Sequence, residues 1–179
     1  MIKPNEVADK AALKESENYA FRVFLKNNAD PDELDEQFKR LHKELFSEYD
    51  CSKCRNCCKM FRAVIPSEDI EKDAQQLGMP DEEFINSFLE YDDSEQAYKT
   101  KNCPCNFLNN GDCVLGEHKP EECRLYPYTD QPDRLFSLLS LIELAEVCPI
   151  VYEMFERLKK EYNFKKETQT ILLMKIIGD

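Results

Sequence analysis

The sequence predicts an α-rich α+β fold, in which helices pack around an irregular, metal-stapled cysteine core that carries a few short strands. Three observations lead to this prediction. Apolar residues recur at helical spacing near both ends of the chain. Nine cysteines gather in groups between residues 51 and 148, and residues 103–128 are rich in Pro, Asn and Gly rather than in helix-forming residues.

The length and composition of the chain are those of one domain. With 179 residues, 42% hydrophobic and 34% charged, it can bury a core beneath a heavily solvated surface. We divide this single domain into an N-terminal helical pair (residues 1–49), a cysteine-cluster metal-binding core (residues 50–150) and a C-terminal helix with a tail (residues 151–179). The N-terminus is too charged for a secretory signal, and no apolar run approaches the roughly 20 residues of a bilayer-spanning helix. We therefore expect a cytoplasmic protein without a membrane partner.

The formal net charge of −12 limits the partners that the protein can have. An acidic surface repels phosphate backbones, so nucleic acid is not an expected partner. Such a surface suits a basic protein partner, although it also serves solubility alone. Metal loading would add negative charge, since four thiolates around one zinc ion carry a net charge of about −2.

Two helices are predicted at the start of the chain. Residues 5–26 are rich in Ala, Glu and Lys, and an Asn-Asn pair ends this segment. Asp30 can cap the second helix, Pro31 suits its first turn and Glu33 completes a capping box. The apolar residues of this second helix share one face because they recur every three or four positions, and they are Leu34, Phe38, Leu41 and Leu45.

The middle of the chain mixes short strands and helices. Residues 60–65 are β-branched enough for a strand, and Ser67 can cap a helix that Gly78 ends. A second helix begins at Pro80, with an apolar face formed by Phe84, Ile85, Phe88 and Leu89. Residues 91–102 are polar and are predicted to be a surface connection.

The last part of the chain contains a hairpin signal and further apolar segments. The Asn-Asn-Gly-Asp turn at residues 109–112 lies between two short apolar runs and predicts a small hairpin. Residues 134–147 fit either a helix or a strand, whereas residues 151–162 predict a helix. Residues 168–177 are apolar enough for a strand or a docked final helix.

The spacing of Cys51, Cys54 and Cys57 predicts metal binding. A C-x-x-C turn lets two sulfurs converge on one ion while the intervening amides hydrogen-bond to the thiolates. Two such turns in succession match the first three ligands of a bacterial ferredoxin, although the fourth cysteine of that motif is missing here. Cys58 follows immediately, and we expect it to point elsewhere, where it serves a second ion or bridges two ions. Zinc is the predicted metal, and iron or a 4Fe-4S cluster is the alternative.

The cysteine count is compatible with two metal sites. Eight of the nine cysteines would fill two tetrahedral four-sulfur sites. His42 and His118 could each replace a sulfur, but both are more typical of ordinary surface histidines, and His42 lies on a charged helical face.

The cysteines and their neighbours resemble those of a known family. The shared pattern is a C-x-x-C-x-x-C-C run, Cys105 followed by Asn-Phe-Leu, Cys113 followed by Val-Leu, Pro120-x-x-Cys123-Arg124-x-Tyr126-Pro127, and Cys148-Pro149. Over residues 49–150 the chain resembles the CxxCxxCC cysteine-cluster family, also called YkgJ-like, which is described as zinc- or iron-chelating. The resemblance implies that Cys103 is additional and that eight cysteines are metal ligands, namely Cys51, Cys54, Cys57, Cys58, Cys105, Cys113, Cys123 and Cys148.

Arg124 and Tyr126 also match the family pattern, and the sequence does not decide between their possible roles. Arg124 could be a charge partner for the thiolates or a substrate contact, or it could bond to nearby carbonyls beside a packed Tyr-Pro corner. The chain departs from the family pattern at Asn56, where glycine is common, and at Lys119, where arginine is common. Lysine lacks the bidentate fork with which arginine pairs with a carboxylate.

Three functions are consistent with these features. The first is a metal-binding protein with a structural or metal-handling role. The second is an iron–sulfur redox protein or a component of a protein-modifying, methyltransferase-type enzyme, since the resemblance extends to members linked with lysine methylation of flagellin. The chain has no C-x-x-x-C-x-x-C run and only four glycines, so we assign no catalytic residue and no organic cofactor site. The third is an acidic protein-interaction module stapled by zinc.

Overall fold

The computed structural model of the protein describes residues 1–165 and shows the predicted α-rich α+β fold. The chain forms two compact units. The first unit contains residues 1–49 and the described residues from Pro127 onward, and the second unit is Asp50–Tyr126. The strand or helix predicted at residues 168–177 lies outside the described residues.

The described residues form short and long helices and five short strands. The helices are α1 (Val7–Asn28), α2 (Pro31–Ser47), α3 (Cys51–Cys54), α4 (Asn56–Met60), α5 (Ile70–Leu77), α6 (Asp81–Phe88), α7 (Glu121–Leu125), α8 (Arg134–Ala145) and α9 (Pro149–Glu161). The strands are β1 (Val64–Ile65), β2 (Leu89–Asp92), β3 (Ala97–Thr100), β4 (Leu108–Asn109) and β5 (Asp112–Cys113). Within residues 1–165, none of the helices has both the length and the apolar character that crossing a membrane requires.

In the first unit, α1 and α2 pack against α8 and α9. Helix α2 begins as predicted, because the Asp30 carboxylate accepts hydrogen bonds from the N–H groups of Asp32 (3.1 Å) and Glu33 (3.0 Å). The predicted apolar face of α2 is buried, with at most 1% of each residue exposed at Leu34, Phe38, Leu41 and Leu45. The four-three-four spacing therefore identified the core-facing side of this helix correctly.

Residues 134–147 fit either a helix or a strand in the sequence, and the structure shows helix α8 from Arg134 to Ala145. The Asp35 carboxylate on α2 accepts the N–H groups of Asp133 and Arg134, each at 2.8 Å. Amides at the start of a helix have no partner within the helix, so this carboxylate satisfies two of them. The local sequence leaves the choice between helix and strand open here, and this contact between α2 and α8 favours the helix.

A buried ion network joins α1 to α9. Lys159 is only 4% exposed, and its ammonium group lies 3.2 Å from the Glu17 carboxylate. The same group donates to Asn18 at 3.0 Å and contacts the Glu156 carboxylate. Lys14 adds a hydrogen bond to Glu17 at 2.8 Å. Burial opposes the ionisation of Glu17, but the hydrogen bond from Lys14 and the charge of Lys159 lower its pKa below the ordinary value.

We expect Glu17→Gln to lower the free energy of unfolding by about 1 kcal/mol near pH 7, because two lysines lose a partner in a partly screened site. The folded-state pKa of Glu17 lies below its unfolded value of 4.5, so the contribution is present above that pH and is lost as the pH falls through the folded-state pKa. Urea unfolding in a series from pH 7 to pH 3 measures this dependence. Glu36→Gln, at an exposed ion pair with Lys39, is the control and should change stability little. An equal loss at all pH values would contradict the assignment.

The second unit has a hydrophobic core of its own. Strand β3 lies between β1 and β2, and both pairings are antiparallel. Phe107, just before β4, stacks on Phe84 of α6 with ring centroids 5.7 Å apart. The core cluster consists of Ile65, Ile70, Ala74, Phe84, Leu89, Phe107 and Leu115. Because Phe107 and Leu115 flank the β4–β5 hairpin, this cluster anchors both ends of the hairpin.

The segment that precedes this core differs in part from its prediction. The strand predicted at residues 60–65 is limited to Val64–Ile65, because helix α4 continues to Met60. A 3-10 turn at Ser67–Asp69 leads into α5 in place of a capped first turn. Gly78 ends α5 as predicted, in a left-handed conformation with φ of 70°.

The surface connection predicted at residues 91–102 is wrong, because much of it belongs to the β2–β3 hairpin. Tyr91 and Tyr98 pair across the two strands, with ring centroids 5.1 Å apart. The Asp92 carboxylate accepts the N–H of Ser94 at 3.0 Å and so closes the turn. Cross-strand pairing and this turn outweigh the low hydropathy of the segment.

Candidate metal centre

The first cysteine group begins with two short helical turns. Helix α3 starts at Cys51, where the Asp50 carboxylate accepts the N–H of Ser52 at 2.9 Å. Arg55 has a left-handed φ of 55°, which ends α3 and separates it from α4. This residue lets the two C-x-x-C turns follow in direct succession, with Cys54 buried.

Cys57 and Cys58 lie close together rather than pointing apart as expected. Their Sγ atoms are 4.0 Å apart, and zinc–sulfur bonds of about 2.3 Å in a tetrahedron separate two sulfurs by about 3.8 Å. The adjacent pair can therefore contact one ion. A hydrogen bond from Cys57 lowers the pKa of Cys58 to about 6 against the effect of burial, and the charges of Arg55 and Lys119 act in the same direction as this hydrogen bond. The Cys58 thiol therefore loses its proton more readily than an ordinary cysteine does.

The β4–β5 hairpin connects the second cysteine group to the first. The turn predicted at residues 109–112 is present, with two residues of positive φ. Cys113 pairs with Leu108, whose N–H donates to the Cys105 carbonyl at 3.0 Å. The Cys105 N–H in turn donates to the Cys58 carbonyl at 2.7 Å. Backbone hydrogen bonds thus link the second cysteine group to the first.

Two thiols of the second unit, those of Cys105 and Cys123, ionise less readily than an ordinary cysteine because of burial and of neighbouring cysteines. Cys123 is exposed on one side, yet desolvation of its thiol, together with the neighbouring Cys105, Cys58 and Cys113, raises its pKa to about 12. Burial likewise raises the pKa of Cys105, and Cys58 and Cys113 contribute to that increase. A nearby cation would offset this repulsion and favour the thiolates. The donor chemistry of these four residues therefore fits a thiophilic metal such as zinc or iron.

The other cysteines occupy separate places. Burial and the adjacent Cys54 raise the pKa of Cys51 in α3. Cys148 belongs to the first unit, where it is 6% exposed and directly precedes α9. Cys103, the additional cysteine, is exposed, and its thiol donates to the Lys59 carbonyl at 3.1 Å.

The donors do not form a closed coordination shell. Within residues 1–165, no three His, Cys, Asp or Glu side chains converge closely enough to hold an ion between them. The adjacent sulfurs of Cys57 and Cys58 lie close together. Cys58 and Cys113 are also near enough to Cys105 and Cys123 to affect the pKa values of those two thiols. Sulfur is a suitable donor for zinc or iron. The described side chains, however, are not close enough together to surround an ion in this structure.

Arg55 is a functional candidate that the cysteine pattern does not reveal. Its Nε atom donates to the Gly111 carbonyl at 3.1 Å, and its guanidinium group lies 3.3 Å from the Asp112 carboxylate. Only 11% of the side chain is exposed. Arg55 therefore ties the first cysteine group to the β4–β5 hairpin and supplies a positive charge that acts on Cys58. The signal in the sequence is a basic residue between two C-x-x-C turns, where it can offset thiolate charge.

Asp73 is a second residue that sequence reasoning missed. It lies on α5 and is 0% exposed, and neither of its carboxylate oxygens has a hydrogen-bond partner among the described residues. Burial raises the pKa of Asp73 to about 6, although the charge of Lys72 and the smaller effects of His118 and Arg124 act to lower it. The sequence does contain a signal for this residue. Asp73 lies between Ile70 and Ala74 on the apolar face of α5, where a hydrophobic residue would be expected.

The two histidines have different surroundings. His42 is not on a solvated face, because its Nδ1 atom lies 2.9 Å from Thr129 Oγ1 and its ring centroid lies 4.4 Å from that of Phe46. Burial lowers the pKa of His42, which is therefore neutral near pH 7. His118 is exposed, as expected, at the end of the 3-10 turn Gly116–His118.

The two other family-matched residues also differ from each other. Arg124 is exposed on α7, and its charge acts on Asp73. Tyr126 is half-buried, with its ring centroid 6.0 Å from that of Phe61. This contact supports a packing role for Tyr126.

The comparisons with known proteins agree with the donor chemistry. The family model named CxxCxxCC, described as "Putative zinc- or iron-chelating domain", matches residues 50–149, which is more than half of the chain. No curated protein and no solved structure gives a significant match. The matched range includes every cysteine of the chain.

Proposed function

The chain belongs to the CxxCxxCC family of zinc- or iron-chelating domains, and we propose that it binds zinc through its cysteines in a structural or metal-handling role. The observation that supports this most directly is that the thiols of Cys105 and Cys123 ionise less readily than usual, because both are desolvated and both lie near Cys58 and Cys113. Bound zinc supplies positive charge that offsets this repulsion and stabilises a segment with little regular structure.

The proposed ligands are the eight cysteines at the positions of the family pattern. They are Cys51, Cys54, Cys57, Cys58, Cys105, Cys113, Cys123 and Cys148. The remaining residues of the site position these donors. Arg55 contacts the β4–β5 hairpin, and the hydrogen bond with Cys57 lowers the pKa of the Cys58 thiol.

An iron–sulfur protein, either a redox carrier or a component of a protein-modifying enzyme, is the second candidate. The Cys105 sulfur accepts hydrogen bonds from the Phe107 N–H and the Thr100 hydroxyl. Hydrogen bonds to sulfur tune the reduction potential of iron–sulfur clusters. The same bonds also stabilise thiolates around zinc, so metal analysis must separate the two candidates.

Purification without oxygen, followed by metal and sulfide analysis, tests the proposed function. We expect a colourless protein that contains zinc and no acid-labile sulfide. A brown protein with visible absorption, iron and sulfide would exclude zinc and favour the second candidate. A protein that neither contains nor takes up zinc or iron would exclude both.

Cys57→Ser is expected to remove at least one equivalent of bound metal, because it replaces a sulfur donor of the adjacent pair with a hydroxyl group, which is a poor ligand for zinc. Cys103→Ser is the matched control, since Cys103 is the one cysteine outside the family pattern. We expect it to leave the metal content unchanged. Atomic emission analysis of the two variants after identical purification measures this difference. Equal metal loss in both variants would contradict the ligand assignment.

A further inference from the structure

Large apolar side chains are exposed on the first unit, where helices α1 and α8 pack against each other. Tyr19 and Val23 lie one turn apart on α1. Phe136 and Leu139 lie one turn apart on α8. Between 41% and 75% of each of these four residues is exposed. Single exposed hydrophobic residues are common, whereas a group of them that lies together marks a binding surface.

A contact between the two helices brings their exposed apolar residues near each other. The Lys26 ammonium group of α1 lies over the ring of Phe136, 5.9 Å from its centroid. Lys26 follows Val23 by one helical turn, so Val23 and Phe136 border the same contact between the helices. We refer to Tyr19, Val23, Phe136 and Leu139 together as the α1–α8 face.

The described chain ends close to this face. After α9, Asn163 adopts a left-handed φ of 49°, and the Phe164 N–H donates to the Lys159 carbonyl at 2.8 Å, so the chain turns back. The Phe164 ring then packs on α1, with its centroid 5.4 Å from that of Phe24. Because Phe24 directly follows Val23, the chain reaches α1 only about 100° around the helix from the face.

The residues that follow contain a strongly apolar segment. Six of the seven residues at positions 171–177 are hydrophobic, and Lys175 is the exception. Residues 166–170 connect this segment to the described chain, and five extended residues span about 17 Å. That distance exceeds the diameter of a helix with its side chains, which is roughly 10–12 Å. The connection is therefore long enough for the segment to reach the α1–α8 face.

We propose that the C-terminal segment, residues 171–177, covers the α1–α8 face of its own chain. Apolar side chains on the segment and on the face leave water when they meet, and this provides the driving force for docking. The short connection holds the segment near the face at an effective concentration of about millimolar, which favours its own chain over a second copy. Docking at this face does not require the proposed metal binding.

Photo-crosslinking from position 136 identifies what covers the face. Phe136→p-benzoylphenylalanine keeps an aromatic ring at an exposed position, and we expect irradiation to join it to residues 171–177 of the same chain. Lys43→p-benzoylphenylalanine, at an exposed position of α2, is the control and should not capture this segment. A mixture of unlabelled and isotope-labelled protein, analysed by mass spectrometry, separates crosslinks within one chain from crosslinks between two chains.

Tryptophan fluorescence measures the docking itself, because the chain contains no tryptophan of its own. Met174→Trp places a single fluorophore in the segment. We expect its emission maximum to lie at a shorter wavelength than that of a free peptide of residues 166–179 with the same substitution. Adding Val23→Asp should return the emission to that of the peptide, since it places a charge on the face. Val114→Asp, at an exposed valine of the second unit, is the matched control and should leave the emission unchanged.

Three results would overturn the inference. The first is an emission maximum of the Met174→Trp chain that equals that of the free peptide. The second is a crosslink that joins labelled to unlabelled chains, which would assign the face to a second copy. The third is a failure of position 136 to capture residues 171–177, or their equal capture by position 43, and either outcome would exclude specific docking.

Discussion

Removal of the metal is expected to open the cysteine-bearing segments of the second unit while helices α5 and α6 and the three-stranded sheet remain folded. Helices α3, α4 and α7 have only four or five residues. Helices this short are not stable alone in water. Among them, Cys54 is the one buried residue. We therefore expect metal binding to provide much of the free energy that orders these cysteine-bearing segments, and structural zinc contributes on the order of 10 kcal/mol in small domains.

Hydrogen exchange with and without a chelator measures this expectation. We expect the amides of residues 51–60 and 103–123 to lose most of their protection, whereas residues 64–100 keep theirs. Chelator that is saturated with zinc beforehand is the control for effects unrelated to metal removal. Protection that falls uniformly over residues 50–126 would show that the core cluster also depends on the metal, and unchanged protection would contradict a structural role for the metal.

Phe107→Ala is expected to destabilise the second unit by about 3–5 kcal/mol, the cost of removing a buried phenylalanine from a packed core. Phe107 is 1% exposed and its ring lies 5.7 Å from that of Phe84 and 5.4 Å from that of Phe88. Because Phe107 lies between Cys105 and Cys113, the same change should weaken metal binding by loosening the segment that carries both donors. The Phe107 N–H that donates to the Cys105 sulfur is retained in the variant, so the effect reports on packing.

Urea unfolding and a competitive zinc titration of the same samples test both parts of this expectation. Val114→Ala is the control on the same hairpin, because Val114 is exposed and its truncation should cost less than about 0.5 kcal/mol. A stability loss in Phe107→Ala without any change in zinc affinity would show that the core does not organise the donors. An unchanged stability would contradict the assignment of Phe107 to the core cluster.

The sequence predicted an element correctly where the residues that determine it lie only a few positions apart. Helix α2 follows from the spacing of its apolar residues and from the Asp30 carboxylate, which accepts the first free amides of that helix. The β4–β5 turn follows from Asn110-Gly111, since both residues adopt positive φ and these residue types tolerate it. In both cases the interacting groups are neighbours in the sequence.

Long-range contacts decided what the local patterns left open or predicted wrongly. The β2–β3 hairpin has low hydropathy and depends on the pairing of Tyr91 with Tyr98. Helix α8 is supported at its start by Asp35, which belongs to another helix about 100 residues earlier. The buried environment of Asp73 arises from the packing of α5 against a turn that is distant in the sequence.

Residue identity and spacing alone established that this protein belongs among cysteine-rich metal chelators, because the type and grouping of donor atoms decide which ions can bind. Tertiary structure decided which donors act together. It places Cys57 and Cys58 within 4.0 Å, links Cys105 to Cys58 through the backbone, and buries Asp73 beside the turn of His118. The backbone link and the burial of Asp73 depend on residues far apart in the sequence, so they exist only once the chain has folded.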